Sequence, residues 1–387
     1  MTNTDRGLSY DRECPQVEWS WEQTRELYTD WAAYWGDRSG IKQVLQWRGF
    51  PLWWSSNLIH KDTLRDYGWY KELHDRLRGV SSNRVEPRSA AVVYFGLCTN
   101  MAKEIGKWLL LRLLPPGVHG SGANVWFHGL EYNLLSTTEG FCDRMYEQAY
   151  RDDQKFGYVS AFIIRLNFRR ADFFHPWSWR SRITGLAGRL QRDVEILDRY
   201  SRLRDIVGIH CSLIRGYARF RKFIRPLCTQ GIRIGHAEFG DVLVLEMQKS
   251  FVSYIPFALT YAAMFEHWLQ EDEGEKTLVT YGETLAWMRP VYHATKKVST
   301  NHRWISIQHA TVYRNKLGFY HRASEFKKTT PEEKRSISPR PDFYFVHGPQ
   351  FAEILAEIYP RETITKIGCL KYDRLNRVYG GGRKLLQ

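Results

Sequence analysis

Five polar corners in this sequence each close a short apolar run, and their residue types suit proton transfer beside a bound anion. They read His128-Gly129-Leu130-Glu131, Tyr281-Gly282-Glu283, Gln308-His309-Ala310, His347-Gly348-Pro349 and Gly368-Cys369-Leu370-Lys371-Tyr372-Asp373. Glu131, Glu283 and Asp373 supply carboxylates, while His309 and His347 supply imidazoles able to shuttle protons near neutral pH. Lys371 and Arg289 carry the positive charge that holds an anion. Tyr281 and Gln308 add neutral hydrogen-bonding groups, Gly129 lets a ligand approach the backbone closely, and Gly348 belongs to the His347 corner. Glu283 and His309 are the expected catalytic pair, because Gln308-His309 directly ends an apolar strand. Glu283 also stands where it would cap the helix that it begins, a structural role equally compatible with its position.

Such corners need strands to position them. Thr277–Tyr281, Trp304–Ile307, Asp342–Val346 and Ile364–Ile367 have the length and the β-branched or aromatic content of buried strands. Helical patterns follow the first (283–296) and the third (349–358, with Pro349 at its first position). Upstream, Ala90–Phe95, Ala123–Phe127 and Val159–Ile164 read as further strands, and Thr138–Arg151 as a helix. Strand and helix alternating in this way predict a mostly parallel, doubly wound α/β sheet. Ligands bind such sheets at the carboxyl ends of the strands, where the polar corners lie.

The ordered set Tyr-Gly-Glu, Ile-Gln-His, Phe-Val-His-Gly-Pro and Gly-Cys-Leu-Lys-Tyr-Asp resembles the GT-B glycosyltransferases of surface-carbohydrate synthesis. It is most similar to the Kdo-transferase-like enzymes and more distantly to the CDP-glycerol glycerophosphotransferases. The likeness covers residues 277–373, and more weakly Phe50–Trp54 and Asp143–Tyr146; it departs at Ala310, where those families commonly have Gly. It implies a Rossmann-like domain that takes a nucleotide-sugar donor as substrate, with no cofactor, and a glycan or lipid-linked acceptor. It also implies that the Gly368–Asp373 segment leads into a second, donor-holding domain. Only 14 residues follow Asp373, so the expectation is either a truncated or split enzyme whose donor half is a separate chain, or a chain that has lost transfer activity. The alternatives are a glycerophosphotransferase-like activity and a non-catalytic subunit that binds an anionic glycan or lipid.

The 387 residues are 43% hydrophobic and 25% charged, an ordinary globular composition with ample chain for a core. The division expected is a helical, Trp-rich N-terminal segment (1–85), a Rossmann-like domain (86–373) and a tail (374–387). The chain has 15 Trp and 22 Tyr, residues that suit sugar-stacking clefts, membrane interfaces and large cores alike. Trp53-Trp54, near Asn57, His60 and Lys61, is a candidate sugar-stacking pair or a packing pair. Cysteines 14, 98, 142, 211, 228 and 369 form no Cys-x-x-Cys pair, which argues against a metal site and for reduced thiols in the cytoplasm. The uncharged run 250–265 is shorter than a spanning helix needs and contains Pro256; a buried helix is expected there.

Charge is concentrated. Residues 165–225 hold 15 Lys or Arg against five Asp or Glu, a local balance of +10 within a whole-chain excess of +14. A long helical region of this kind attracts anions, including an anionic membrane surface at the inner face. Met101–Leu114, with Lys103, Lys107 and Arg112 interrupting an apolar stretch, is a second candidate for membrane contact. Nucleic acid is the disfavoured partner, since no helix-turn-helix, zinc-finger or ribonucleoprotein signature accompanies the charge. No dinucleotide or phosphate-loop glycine motif is present either.

Overall fold

The computed structural model describes residues 9–10, 19–60, 68–81, 84–114, 122–137, 140–143, 145–146, 158–186, 193–271, 274–281, 286–308, 322, 325–326, 338–357 and 359–368. A sheet of seven parallel strands organises them: β1 (Val125–Leu130), β2 (Ser160–Arg165), β3 (Val194–Ile196), β4 (Thr277–Thr280), β5 (Arg303–Ile307), β6 (Phe343–Val346) and β7 (Ile364–Lys366). Their spatial order is β7-β6-β5-β4-β1-β2-β3. The chain winds outward in one direction from β1 to β3, then returns to the other side of β1 and winds outward again through β4 to β7. This is the doubly wound order, and its switch point lies between β1 and β4.

The strands form where the sequence expects them because their side chains fill both faces. Trp126, Ala161, Ile163, Leu278 and Trp304 pack on one face against α7 (Ile255–Glu271) and α8 (Arg289–Val298). Phe127, Phe162, Ile164, Val279 and Ile307 fill the opposite face. Every residue of β2 is buried, as a central parallel strand requires.

The Trp-rich segment is helical, with α1 (Trp21–Arg38) opened by a capping box between Ser20 and Gln23. Its aromatic residues share one core with α2 (Gly68–Leu77), α3 (Ala90–Leu111), α5 (Leu203–Gln230) and α6 (Gly240–Lys249). Trp53 and Trp54 are both buried, 0% and 1% exposed. They are therefore packing residues and not a sugar-stacking surface. At Gly36 a Cβ would come within 2.8 Å of Trp53 Nε1, so the glycine lets α1 lie directly on that ring.

Three expectations are corrected. Ala90–Phe95 is the start of α3 and not a strand: Ser89 caps its N-terminus, and Val93 and Leu97, four residues apart, bury one face in the helical core, while Leu110 packs into a different cluster on another face. Within 138–151, residues Gly140–Asp143 form a strand of an antiparallel hairpin with Leu134–Thr137. The basic stretch 165–225 is not one helical region. It contains the end of β2, β3, α4 (Pro176–Thr184) and most of α5, so only its last part, from Leu203 on, is one long helix.

The apolar run before β4 is a buried helix, as expected, but it is interrupted. Residues Ser250–Tyr254 widen into a π turn before Pro256, which has no N–H to give to an earlier carbonyl. Gly240–Glu271, taken together, is long and apolar enough to cross a membrane, and most of it is buried inside the protein.

Candidate functional site

The carboxyl ends of β1, β2 and β4 lie together at the switch point of the sheet. β1 and β4 are paired as far as Phe127 and Val279, and beyond that pair Tyr146 lies between them. Its hydroxyl donates to the carbonyl oxygens of His128 at 2.6 Å and Val279 at 3.1 Å. Burial pushes the Tyr146 pKa well above its ordinary value, so the phenol stays protonated as that donation requires.

His128, wholly buried on β1, contacts Thr280 Oγ1 through Nδ1 at 3.0 Å and the Tyr261 hydroxyl through Nε2. Burial, and then the nearby Arg165 charge, lower its pKa to about 3. The imidazole is thus neutral across the physiological range, with its ring fixed between a β4 side chain and an α7 side chain. Tyr281 closes the same corner: its hydroxyl accepts the Leu130 N–H at 3.1 Å and contacts Asn133.

Charge enters from β2. Arg165, 5% exposed, ends that strand with its guanidinium 4.1 Å from the Phe257 ring centre and 4.3 Å from that of Tyr261. Asp198 stands 4.0 Å away. Burial raises the Asp198 pKa most, while Arg165 and the Leu166 N–H, which it accepts at 2.7 Å, act in the opposite direction. Arg165 Nη1 is buried and makes no hydrogen bond. A buried guanidinium stacked on two rings, with a donor to spare, is suited to an incoming oxyanion.

Glu131 is engaged at both oxygens. Oε1 pairs with Arg182, and Oε2 accepts the Asn167 N–H at 2.8 Å. Arg182 in turn reaches Asp172 at 3.2 Å. This carboxylate therefore ties α4 and the β2 exit to the end of β1. Gly129 serves a similar internal purpose: a Cβ there would lie 3.1 Å from Asp143 Oδ2, so its bareness admits the Asp143 carboxylate.

A second corner joins β5 to β6. The Gln308 N–H donates to the Phe345 carbonyl at 2.8 Å, and Gln308 Oε1 accepts the His347 N–H at 2.8 Å. His347 and Gly348 then lead into α9 (Pro349–Ala356), with Pro349 at the start of that helix. Arg289 is placed elsewhere. It is 4% exposed at the start of α8, 5.3 Å from the Trp54 ring centre and bonded to Ser338 Oγ. Burial lowers its pKa, and it clamps the Trp-rich segment to the sheet domain.

The structure thus gathers Gly129, Glu131 and Tyr281 at one corner and Gln308, His347 and Gly348 at the next, with Arg289 in an interior clamp. Glu283, His309, Lys371 and Asp373 lie outside the described residues. Reading the corners alone misses Tyr146, Tyr261, Thr280, Arg165 and Arg182. Arg165 carries a visible signal, a lone charge directly closing the apolar run Ser160-Ala161-Phe162-Ile163-Ile164, and Tyr146 lies in the stretch 143–146 that the resemblance touches weakly. Among the described residues no group of His, Cys, Asp and Glu has metal-binding proximity.

The sheet defines a doubly wound α/β protein. No family model, no curated protein and no solved structure matches the chain.

Proposed function

We propose that the carboxyl ends of the strands at the switch point take a phosphate-bearing ligand of the nucleotide-sugar class, and that the chain takes part in glycosyl transfer in surface-carbohydrate assembly. One observation carries the reading: Arg165, buried at the carboxyl end of β2 and stacked on Phe257 and Tyr261, keeps an unbonded guanidinium nitrogen. The position is where doubly wound sheets hold their ligands, and the chemistry suits the oxygens of a diphosphate.

In this reading Arg165 takes up charge on the diphosphate, and Tyr281 and Gln308 hold the strand ends that frame the ligand. His309 and Glu283 follow Gln308 by one position and Tyr281 by two in the sequence, and they are the residues assigned to proton transfer. His128 remains neutral and fixes Thr280 and Tyr261 without exchanging a proton. The acceptor is a glycan or lipid-linked sugar.

The test is calorimetric titration of the full chain with CMP, CDP, UDP, GDP and their sugar conjugates. One nucleotide class should bind, and the affinity should drop at least tenfold in Arg165→Gln while Arg165→Lys retains part of it. In parallel, His309→Ala and Glu283→Ala should leave that binding within twofold and abolish transfer. Absence of binding by every nucleotide, in a chain whose circular dichroism is that of a folded protein, would overturn the proposal.

A further inference from the structure

A polar cavity lies on the helical side, between α5 and the hairpin around Trp47 and Arg48. It has a volume of about 330 Å³ and is lined by Trp47 and Arg48 from one side and by Arg204, Gly208, Arg215 and Arg219 of α5 from the other. Positions 204, 208, 212, 215 and 219 recur every three or four residues, so they form one stripe of the helix. The stripe places the small residues Gly208 and Ser212 between arginines, which hollows the groove. A Cβ on Gly208 would meet nothing within 4 Å.

Some basic residues of the helical layer are spent on neighbours, as Arg76 is on Asp241 and Glu72. What sets Arg204, Arg215 and Arg219 apart from the exposed Arg221, Lys222 and Arg225 of the same helix is that they line one cavity. Arg204, Arg215 and Arg219 are exposed and make no ion pair or hydrogen bond with any described residue. The acids nearby are already committed: Asp205 pairs with His267 at 2.7 Å and with Arg48 at 3.0 Å, and Glu266 pairs with Arg48 at 3.0 Å. Among the described residues, Arg204, Arg215 and Arg219 therefore line the groove without a partner, and the one carboxylate in its lining, Asp205, is taken up by Arg48 and His267.

Arg48 is held there against its backbone preference. It is the one non-glycine residue with positive φ among those described, at 48°, followed by Gly49 at 85°. Trp47 pairs with Phe50 around these two residues, so they form a two-residue hairpin loop of the type in which Asn-Gly is favoured at both positions. A long side chain in this conformation costs about 1 kcal/mol. The paired contacts with Asp205 and Glu266 retain it and fix the turn at the rim of the groove.

We infer that this groove is a binding site for a phosphorylated ligand carrying at least two negative charges, separate from the switch point. A diphosphate or a phosphate ester matches the planar forks of Arg204, Arg215 and Arg219, and the cavity is at the small end of the range for small-molecule sites. The same chemistry is offered by a free diphosphate and by a phospholipid headgroup.

The test uses the full chain at about 0.15 M salt, where distant charges are screened. Pyrophosphate is titrated calorimetrically, and phosphatidylglycerol vesicles are used in a parallel flotation arm. R215Q/R219Q should weaken the probe it binds at least tenfold. R221Q/R225Q removes equal charge from another face of the same helix and should change binding less than twofold. G208F keeps every charge and fills the groove, and it too should weaken binding at least tenfold. Loss in the pyrophosphate arm identifies a soluble phosphate compound as the ligand, and loss confined to the vesicle arm identifies a headgroup. The site is overturned if neither probe binds, if G208F binds normally, or if R221Q/R225Q loses as much as R215Q/R219Q. In the last two cases the attraction is that of the net charge alone.

Discussion

The hydroxyl of Tyr146 bridges the carbonyl of His128 on β1 and the carbonyl of Val279 on β4, at the point where the two strands stop pairing. One phenol O–H, shared between two buried acceptors, thus ties β1 to β4 where their pairing ends. Loss of the hydroxyl leaves those carbonyls without that donor in a site that water does not reach.

Tyr146→Phe keeps the ring contacts with Phe127 and Phe162 and removes only this donor. The expected cost is about 1–3 kcal/mol, the price of buried acceptors losing a donor. Urea unfolding of the two proteins measures it. A difference below a few tenths of a kcal/mol would mean that the hydroxyl does not hold the strands.

The neutral state of His128 makes stability depend on pH. Its pKa is about 3 in the folded chain, against 6.5 for an ordinary histidine. Between those values the unfolded chain binds a proton that the folded chain refuses, so stability falls as the pH drops from 6.5 toward 3. The slope from one such group is about 1.4 kcal/mol per pH unit. His74 and His210 are lowered as well, chiefly by burial, and act in the same direction. Denaturation series at successive pH values should show this slope, shallower by about one proton in His128→Asn.

Glu131 and Arg182 form the link between the β1 exit and α4. Glu131→Ala removes the acceptor of the Asn167 N–H and the partner of a guanidinium that is only a quarter exposed, and should cost about 1–3 kcal/mol. Arg182→Ala should cost less in a Glu131→Ala background than alone, since both changes break the same contact. A double-mutant cycle with coupling of about 0.5 kcal/mol or more is the expected outcome. Strict additivity would separate the two residues.

The strands that carry these groups were legible because their apolar runs are short, β-branched or aromatic, and followed by polar residues. β2, β4, β5, β6 and β7 all fall within a residue or two of where those runs place them. Ala90–Phe95 misled for the same reason: Val92, Val93, Tyr94 and Phe95 favour strands locally, whereas the Ser89 cap and the buried i, i+4 pair Val93 and Leu97 belong to a helix. The contacts at the switch point were not legible at all. His128 meets Tyr261 across a separation of 133 residues, and Arg165 finds its stacking partners on a helix nearly a hundred positions later. Spacing along the chain carries no trace of such pairs, which arise only when β4 returns to lie beside β1.

Gly129 offers a direct test of how tightly the first corner is packed. It lies on β1 with backbone that any residue adopts, so conformational freedom does not explain it. The close neighbour does: a Cβ would sit 3.1 Å from Asp143 Oδ2 and 3.9 Å from Ile164 Cγ1. Asp143 is wholly buried and accepts the Met145 N–H at 2.8 Å, which limits how far its carboxylate can retreat. Gly129→Ala should therefore destabilise the protein by about 1–3 kcal/mol, as overpacking does, although alanine is otherwise the better strand residue. Shortening the neighbour with Asp143→Ser should make the alanine substitution much less costly than it is in the parent. If Gly129→Ala is neutral or stabilising in urea unfolding, the carboxylate has room to move and the corner is looser than its distances imply.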